Sequence, residues 1–201
     1  MQIHLLFPQP VYCEKLGRTL IEDELNVIDK FKPTNYNKAV TLQSSDNYIL
    51  EKKELKNLKE ELNKMIVDYF NKIVCTRNSV TPYITQSWIN YTRANQHHKQ
   101  HTHPNSYISG VFYINADPKI DTITFYRRKY DRIELESKEF NSFNTTTWYL
   151  KIETGDVLLF PSDLVHGVET KKGANLRISS SFNVFLKGSI GLPTKLTEVI
   201  L

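Results

Sequence analysis

The sequence predicts a mainly β protein, a double-stranded β-helix or jelly roll with N-terminal helices packed on one sheet. Two changes of pattern predict it. Before residue 80 the apolar residues recur at helical spacing; after Pro82 the chain turns to short segments rich in Tyr, Thr, Val, Ile and Phe, divided by polar turns. Size agrees, because 201 residues fit one core, and 40% hydrophobic with 24% charged residues is the balance of an ordinary globular domain.

In chain order, residues 3 to 12 read as an edge strand whose ladder Pro8 and Pro10 restrict. Thr19 to Phe31 reads as a helix, since Leu20, Ile21, Leu25, Ile28 and Phe31 recur near one turn apart and Pro33 stops the run. Glu51 to Val74 reads as a longer helix. Its stripe of Leu55, Leu58, Leu62, Ile66, Tyr69, Phe70 and Ile73 faces lysines and glutamates, and core packing explains it. Strands are expected at 84–92, 107–115, 122–128, 146–152, 156–162 and 176–186. With no internal repeat and no linker, one domain over residues 1–201 is expected: supporting elements to residue 80, a jelly-roll core over 81–188 and a tail from 189.

Composition narrows the function classes. The net charge of +4 and pI near 8.9 would tolerate a nucleic-acid partner, but the basic residues are dispersed. The dense run Arg127, Arg128, Lys129 and Arg132 is interrupted by Tyr130 and Asp131, reads as a solvated hairpin face, and lies in no aromatic-rich basic groove. Nucleic acid is not the expected partner. The opening MQIHLLFPQPVYCEKL lacks a basic leader, and no window approaches the ~18 apolar residues of a membrane span, so a soluble cytoplasmic protein is expected. Cys13 and Cys75 are expected to be reduced packing residues.

The chemistry lies in the histidines. Four of six, His97, His98, His101 and His103, fall within QHHKQHTH, just ahead of an apolar strand. Side chains two apart on an extended segment share a face, so His101 and His103 can act together on one metal ion. A third ligand must come from elsewhere, and the other histidines are His4 and His166. In GDVLLFPSDLVHGV, His166 is expected in a tight connection after Pro161, where packing gives it no purpose. Eleven residues later, alternation along RISSSFN sets Arg177, Ser179, Ser181 and Asn183 on one face, a set of donors suited to a carboxylate.

The order H-x-H, PNSYISGVFYIN, FPSDLVHGV, RISSSFN resembles that of the Fe(II)- and 2-oxoglutarate-dependent dioxygenases, most closely a branch from marine bacteria and their phages related to the prolyl 4-hydroxylases. The resemblance covers residues 84 to 186, with a weaker echo at LFPQPVY. It implies a cupin-like jelly roll, Fe(II) as the metal, 2-oxoglutarate as co-substrate and O2 as oxidant. By position it implies His101, His103 and His166 as metal ligands and Arg177 as the grip on the C5 carboxylate. Tyr113 would bond the same carboxylate, and Ser179 or Ser181 would supply a hydroxyl. No catalytic residue is implied beyond the metal centre. The substrate implied is a protein side chain or small metabolite, hydroxylated with release of succinate and CO2; if phage-encoded, the protein would act in the host cytoplasm.

One departure from the family pattern matters. Most members carry a carboxylate where this chain has His103, so the donor set is neutral and would also suit Zn(II). Two other readings remain: a cupin-like three-histidine metalloenzyme that does not use 2-oxoglutarate, which leaves Arg177 without a task, and a non-catalytic jelly-roll binding module. His97 and His98 read as solvated loop residues or as donors supporting the metal ligands, Trp88 and Trp148 as packing, and Asn90 and Asn105 as within reach of a ligand. If His103 turned away, Asp163 would be its replacement.

Overall fold

The computed structural model describes residues 2–34, 39–128, 133 and 135–201. An irregular N-terminal segment leads into β1 (Tyr12–Lys15) and α1 (Glu22–Lys30). The two-residue β2 (Leu42–Gln43) and two 3-10 turns (Ile49–Glu51 and Lys53–Leu55) precede α2 (Lys56–Tyr69), which closes in a π turn at Phe70–Val74. The strands that follow are β3 (Val80–Thr92), β4 (His98–His101), β5 (Ile108–Asn115), β6 (Thr122–Tyr126) and β7 (Thr147–Lys151). Then come β8 (Asp156–Pro161), β9 (Val165–Val168), β10 (Arg177–Ile190) and β11 (Val199–Ile200).

Two antiparallel sheets face each other in the jelly-roll arrangement. The larger runs β1-β8-β5-β10-β3-β2, with β11 on the outer end of β10; the smaller runs β4-β9-β6-β7. Alternation gives the larger sheet two apolar faces. Outward, Ile89, Tyr91, Phe112, Leu159, Phe182 and Val184 pack with Leu58, Leu62, Ile66 and Tyr69 of α2. Inward, Val111, Tyr113, Leu158 and Phe160 meet Ile123 and Phe125 of the smaller sheet. The stripe of α2 is therefore core packing against one sheet, as the period implied.

Several local expectations need correction. Residues 3 to 11 form no strand, because Pro8 and Pro10 offer no ladder donors; pairing starts at Tyr12, opposite Leu159. Cys13 and Cys75 are free but exposed, one on the edge strand β1 and the other left-handed (φ 47) after the π turn, so neither packs a core. Trp148 is 49% exposed on β7, an edge of the smaller sheet, rather than interior packing. In the basic run, the Arg127 guanidinium donates to the carbonyls of Ser142 and Phe143 (both 3.0 Å), tying down its own loop; Lys129 and Arg132 lie outside the described residues. Among the described residues no helix is long and apolar enough to cross a membrane.

Candidate metal centre

The antiparallel register of β3 and β10 sets Trp88 opposite Ser181, Asn90 opposite Ser179 and Thr92 opposite Arg177. Alternation points all six inward, where they floor a narrow cavity of about 40 Å³. Its far wall is the smaller sheet. There His101 ends β4 and stands in register with His166 on β9, and His103 follows two residues later.

His166 is thus within a strand, not in a connection; the turn ends at Leu164. A polar residue beside a glycine hides this strand from a pattern search, but it pairs on both sides, with β4 and with β6. The imidazole is 5% exposed and packs edge-on against Phe160 at 4.7 Å. Gly167 permits the approach, since a Cβ there would lie 2.9 Å from the His98 carbonyl oxygen. His103 is fixed through its backbone, whose N–H donates to the Ser162 carbonyl (3.0 Å). Ser162 is in turn bonded through its hydroxyl to Ser106 (2.8 Å) and Ser109 (2.9 Å).

The three imidazoles present nitrogens that all lie within 4.8 Å of one another. Nδ1–H of His101 donates to the Lys99 carbonyl (2.8 Å) and Nδ1–H of His166 to the Leu164 carbonyl (2.9 Å), since a carbonyl only accepts. In the neutral form of each ring this tautomer leaves the lone pair on Nε2, and Nε2 of His166 lies 3.3 Å from Nε2 of His103. Burial first, then the neighbouring imidazoles, holds His103 down at about 3; burial likewise holds His166 down at about 4. Both rings are neutral near pH 7, the form that ligates a metal. Asp163, the alternative to His103, is exposed and faces a separate groove.

Arg177 and Tyr113 meet on the same cavity. Tyr113 is fully buried on β5, Arg177 is 4% exposed at the start of β10, and the guanidinium carbon lies 5.1 Å from the phenol ring centre. One guanidinium nitrogen donates to the Thr122 carbonyl (3.1 Å) and another reaches the Tyr113 hydroxyl (3.4 Å), while Nε–H is buried without an acceptor. Burial, only partly opposed by Arg177, pushes the Tyr113 phenol up to about 12, so it stays protonated and able to donate. Ser179 and Ser181 line the cavity beside them, and Ser181 Oγ accepts from Asn90 Nδ2 at 2.8 Å.

Not every expected residue arrives. Asn105 is exposed at a left-handed turn (φ 55), outside the cavity, and His4 lies on the separate groove. His97 pairs through its backbone with Ala39 and Thr41. His98 is not solvated: its ring stacks on His101 at 4.5 Å and lines the cavity. Sequence reasoning passed over Gly167 and the three serines. A glycine inside VHGV was the available signal for close backbone approach; nothing in the sequence marked the serines.

Two outcomes follow. Gly167→Ala should force β9 away from β4 and weaken metal binding by about 10-fold, within the range for residues that orient ligands; calorimetric titration with Co(II) measures it, and unchanged affinity would contradict the role given to Gly167. Second, the folded-state values of His103 and His166 lie below the ordinary 6.5, so the unfolded chain takes up protons first as pH falls. Their contribution to metal-free stability is complete above about pH 6.5 and is lost as pH falls through about 4 for His166 and about 3 for His103. Denaturant midpoints of the stripped protein should drop across that window, and less so in His103→Gln.

Comparison with known proteins adds a context. A family model described as "Putative 2OG-Fe(II) oxygenase" matches residues 86–183. No curated protein matches the sequence significantly. Among solved structures, HygX from Streptomyces hygroscopicus, with nickel and 2-oxoglutarate bound, superposes with a TM-score of 0.58 at 12% identity, covering 88% of this chain and 82% of that one. A prolyl hydroxylase from Trichoplax adhaerens, in complex with a hypoxia inducible factor peptide fragment, gives 0.58 at 12% identity over 87% and 83%. An oxidoreductase of the 2OG-Fe(II) oxygenase family from Burkholderia pseudomallei gives 0.54 at 14% over 81% and 78%. At these identities the superpositions establish a shared jelly-roll fold.

Proposed function

We propose, from the premise that the chain belongs to the 2OG-Fe(II) oxygenase superfamily, that it is a hydroxylase acting on a protein side chain or a small metabolite. The superfamily uses Fe(II), 2-oxoglutarate and O2, and the residues present fit those groups. Three imidazoles whose nitrogens all lie within 4.8 Å of one another suit a divalent cation. An orphaned Arg177 Nε–H beside a protonated phenol suits a carboxylate.

In this reading His101, His103 and His166 hold the metal, and the carbonyls of Lys99 and Leu164 fix two of the rings in the ligating tautomer. Arg177 and Tyr113 grip the distal carboxylate of 2-oxoglutarate, with Ser179 and Ser181 offering hydroxyls along the floor. When bound, Fe(II) with 2-oxoglutarate and O2 supplies the oxidising chemistry, and the co-substrate leaves as succinate and CO2. Phe160, Val111 and Ile123 line the remaining wall and keep water from that space. Because no carboxylate among the described residues belongs to the histidine cluster, the dianionic co-substrate would offset the charge of the cation.

The single observation that carries this reading is the buried Arg177–Tyr113 pair opening on the same cavity as the three histidines. A cupin-like metalloenzyme that ignores 2-oxoglutarate leaves that pair without a purpose. The substrate class draws support from two similar structures, one described with hygromycin B bound and one in complex with a peptide. Anaerobic addition of Fe(II) and then 2-oxoglutarate tests the reading: a weak visible absorption of the chelate is expected, and its absence from metal-loaded protein would rule the reading out. Gain of one oxygen atom by a candidate substrate, followed by mass spectrometry, tests the hydroxylase assignment.

A further inference from the structure

We propose that Trp88 binds the co-substrate, its indole N–H donating to the carboxylate of 2-oxoglutarate at the metal end, opposite the end that Arg177 holds. The inference rests on the function proposed above and gives a task to a residue that function leaves idle. Trp88 lines the cavity, and its ring stacks on His103 with centroids 5.7 Å apart and planes 26° from parallel. Register separates it from Arg177: Thr92 faces Arg177, whereas Trp88 faces Ser181, four residues along β10, or about 13 Å of strand.

The decisive feature is the indole nitrogen. Trp88 Nε1 is enclosed and has no acceptor, which is uncommon for a buried donor. Among the described residues that line this cavity, the other enclosed N–H without an acceptor is Arg177 Nε, at the opposite end of the same floor. An aromatic ring needed only to pack against His103 requires no N–H, and phenylalanine would serve. Two orphan donors at the two ends of one floor match a dicarboxylate laid along it, one end at the imidazoles and the other at the guanidinium.

Trp88→Phe tests this directly, because it keeps a ring over His103 and removes the donor. In Co(II)-loaded protein the affinity for 2-oxoglutarate should fall by about 10-fold, while Co(II) affinity and the visible Co(II) spectrum stay as in the wild type. Succinic semialdehyde, which keeps the distal carboxylate but lacks the metal-end one, should bind both proteins equally. Equal 2-oxoglutarate affinity in the two proteins, or an equal loss for both ligands, would overturn the proposal. Wild-type protein that binds metal but no 2-oxoglutarate would instead defeat the function on which it rests, and the proposal with it.

A second measurement does not depend on that variant folding. The chain has two tryptophans, so Trp148→Phe assigns the two indole N–H signals by nuclear magnetic resonance of nitrogen-labelled, Zn(II)-loaded protein. On adding 2-oxoglutarate the Trp88 indole proton should move downfield and exchange more slowly with solvent. A Trp88 signal that stays in place while calorimetry shows the ligand bound would refute the assignment.

Discussion

Arg177→Leu should weaken 2-oxoglutarate binding by about 10- to 100-fold, because charge-assisted bonds to a carboxylate contribute about 1.5–3 kcal/mol each and about 1.4 kcal/mol is already tenfold. The leucine cannot replace the fork of donors, and it leaves the buried Tyr113 hydroxyl facing the ligand alone. Metal affinity should stay within about twofold, since Arg177 is not among the grouped imidazoles. The Thr122 carbonyl loses its guanidinium donor as well, so some stability should be lost; a thermal melt measures that cost separately from binding. Conversion of 2-oxoglutarate to succinate without added substrate should fall in step with affinity. Normal affinity in a folded Arg177→Leu protein would remove the co-substrate role from this residue.

His166→Ala should have the larger effect on the metal. It deletes the most buried of the three imidazoles, leaving two ligands and an apolar hole beside Phe160. Residues that merely orient a ligand are worth about 10- to 100-fold in metal affinity, so loss of a ligand should exceed about 100-fold. Co(II) titration followed by visible absorption reads this directly. Two companions define the result: His103→Asp should still bind, because it replaces one donor with a charged one, and His98→Ala should bind nearly as the wild type, because His98 lies outside the grouped nitrogens. If His98→Ala matched His166→Ala, the ligand set would have to be redrawn.

What could be read in advance followed periodicity and length. The stripe of α2 and the runs that became β3, β5, β8 and β10 are long enough for their patterns to dominate, and they form the sheet and its helical backing. The elements that escaped are short or polar. β2 has two residues, β4 is HKQH and β9 is VHGV, and each gains its ladder only from partners distant in sequence. The nature of the site was legible because His101, His103, His166 and Arg177 are rare residue types in a recognisable order. Its supports were not. The hydroxyl chain of Ser106, Ser162 and Ser109 and the close contact at Gly167 depend on register, which a single sequence does not encode locally. Trp148 was misjudged for a related reason: its strand pairs on one side alone, so an aromatic that reads as interior stands at an edge.

The two halves of the cavity belong to sheets of unequal cohesion. Its floor is carried by β3 and β10, the two longest strands, which are paired over nearly their full length and backed by α2. The imidazoles sit on or just beyond the smaller sheet, whose β4 and β9 have four residues each and whose β4 and β7 are its outermost strands among the described residues. Local opening follows the cheapest cooperative unit, and here that is the smaller sheet. Amide protons of β4 and β9 should therefore exchange earlier than those of β3 and β10. The ion would then escape by partial melting of one sheet while the other stays folded, so that loss and recovery of the metal need not pass through the unfolded chain.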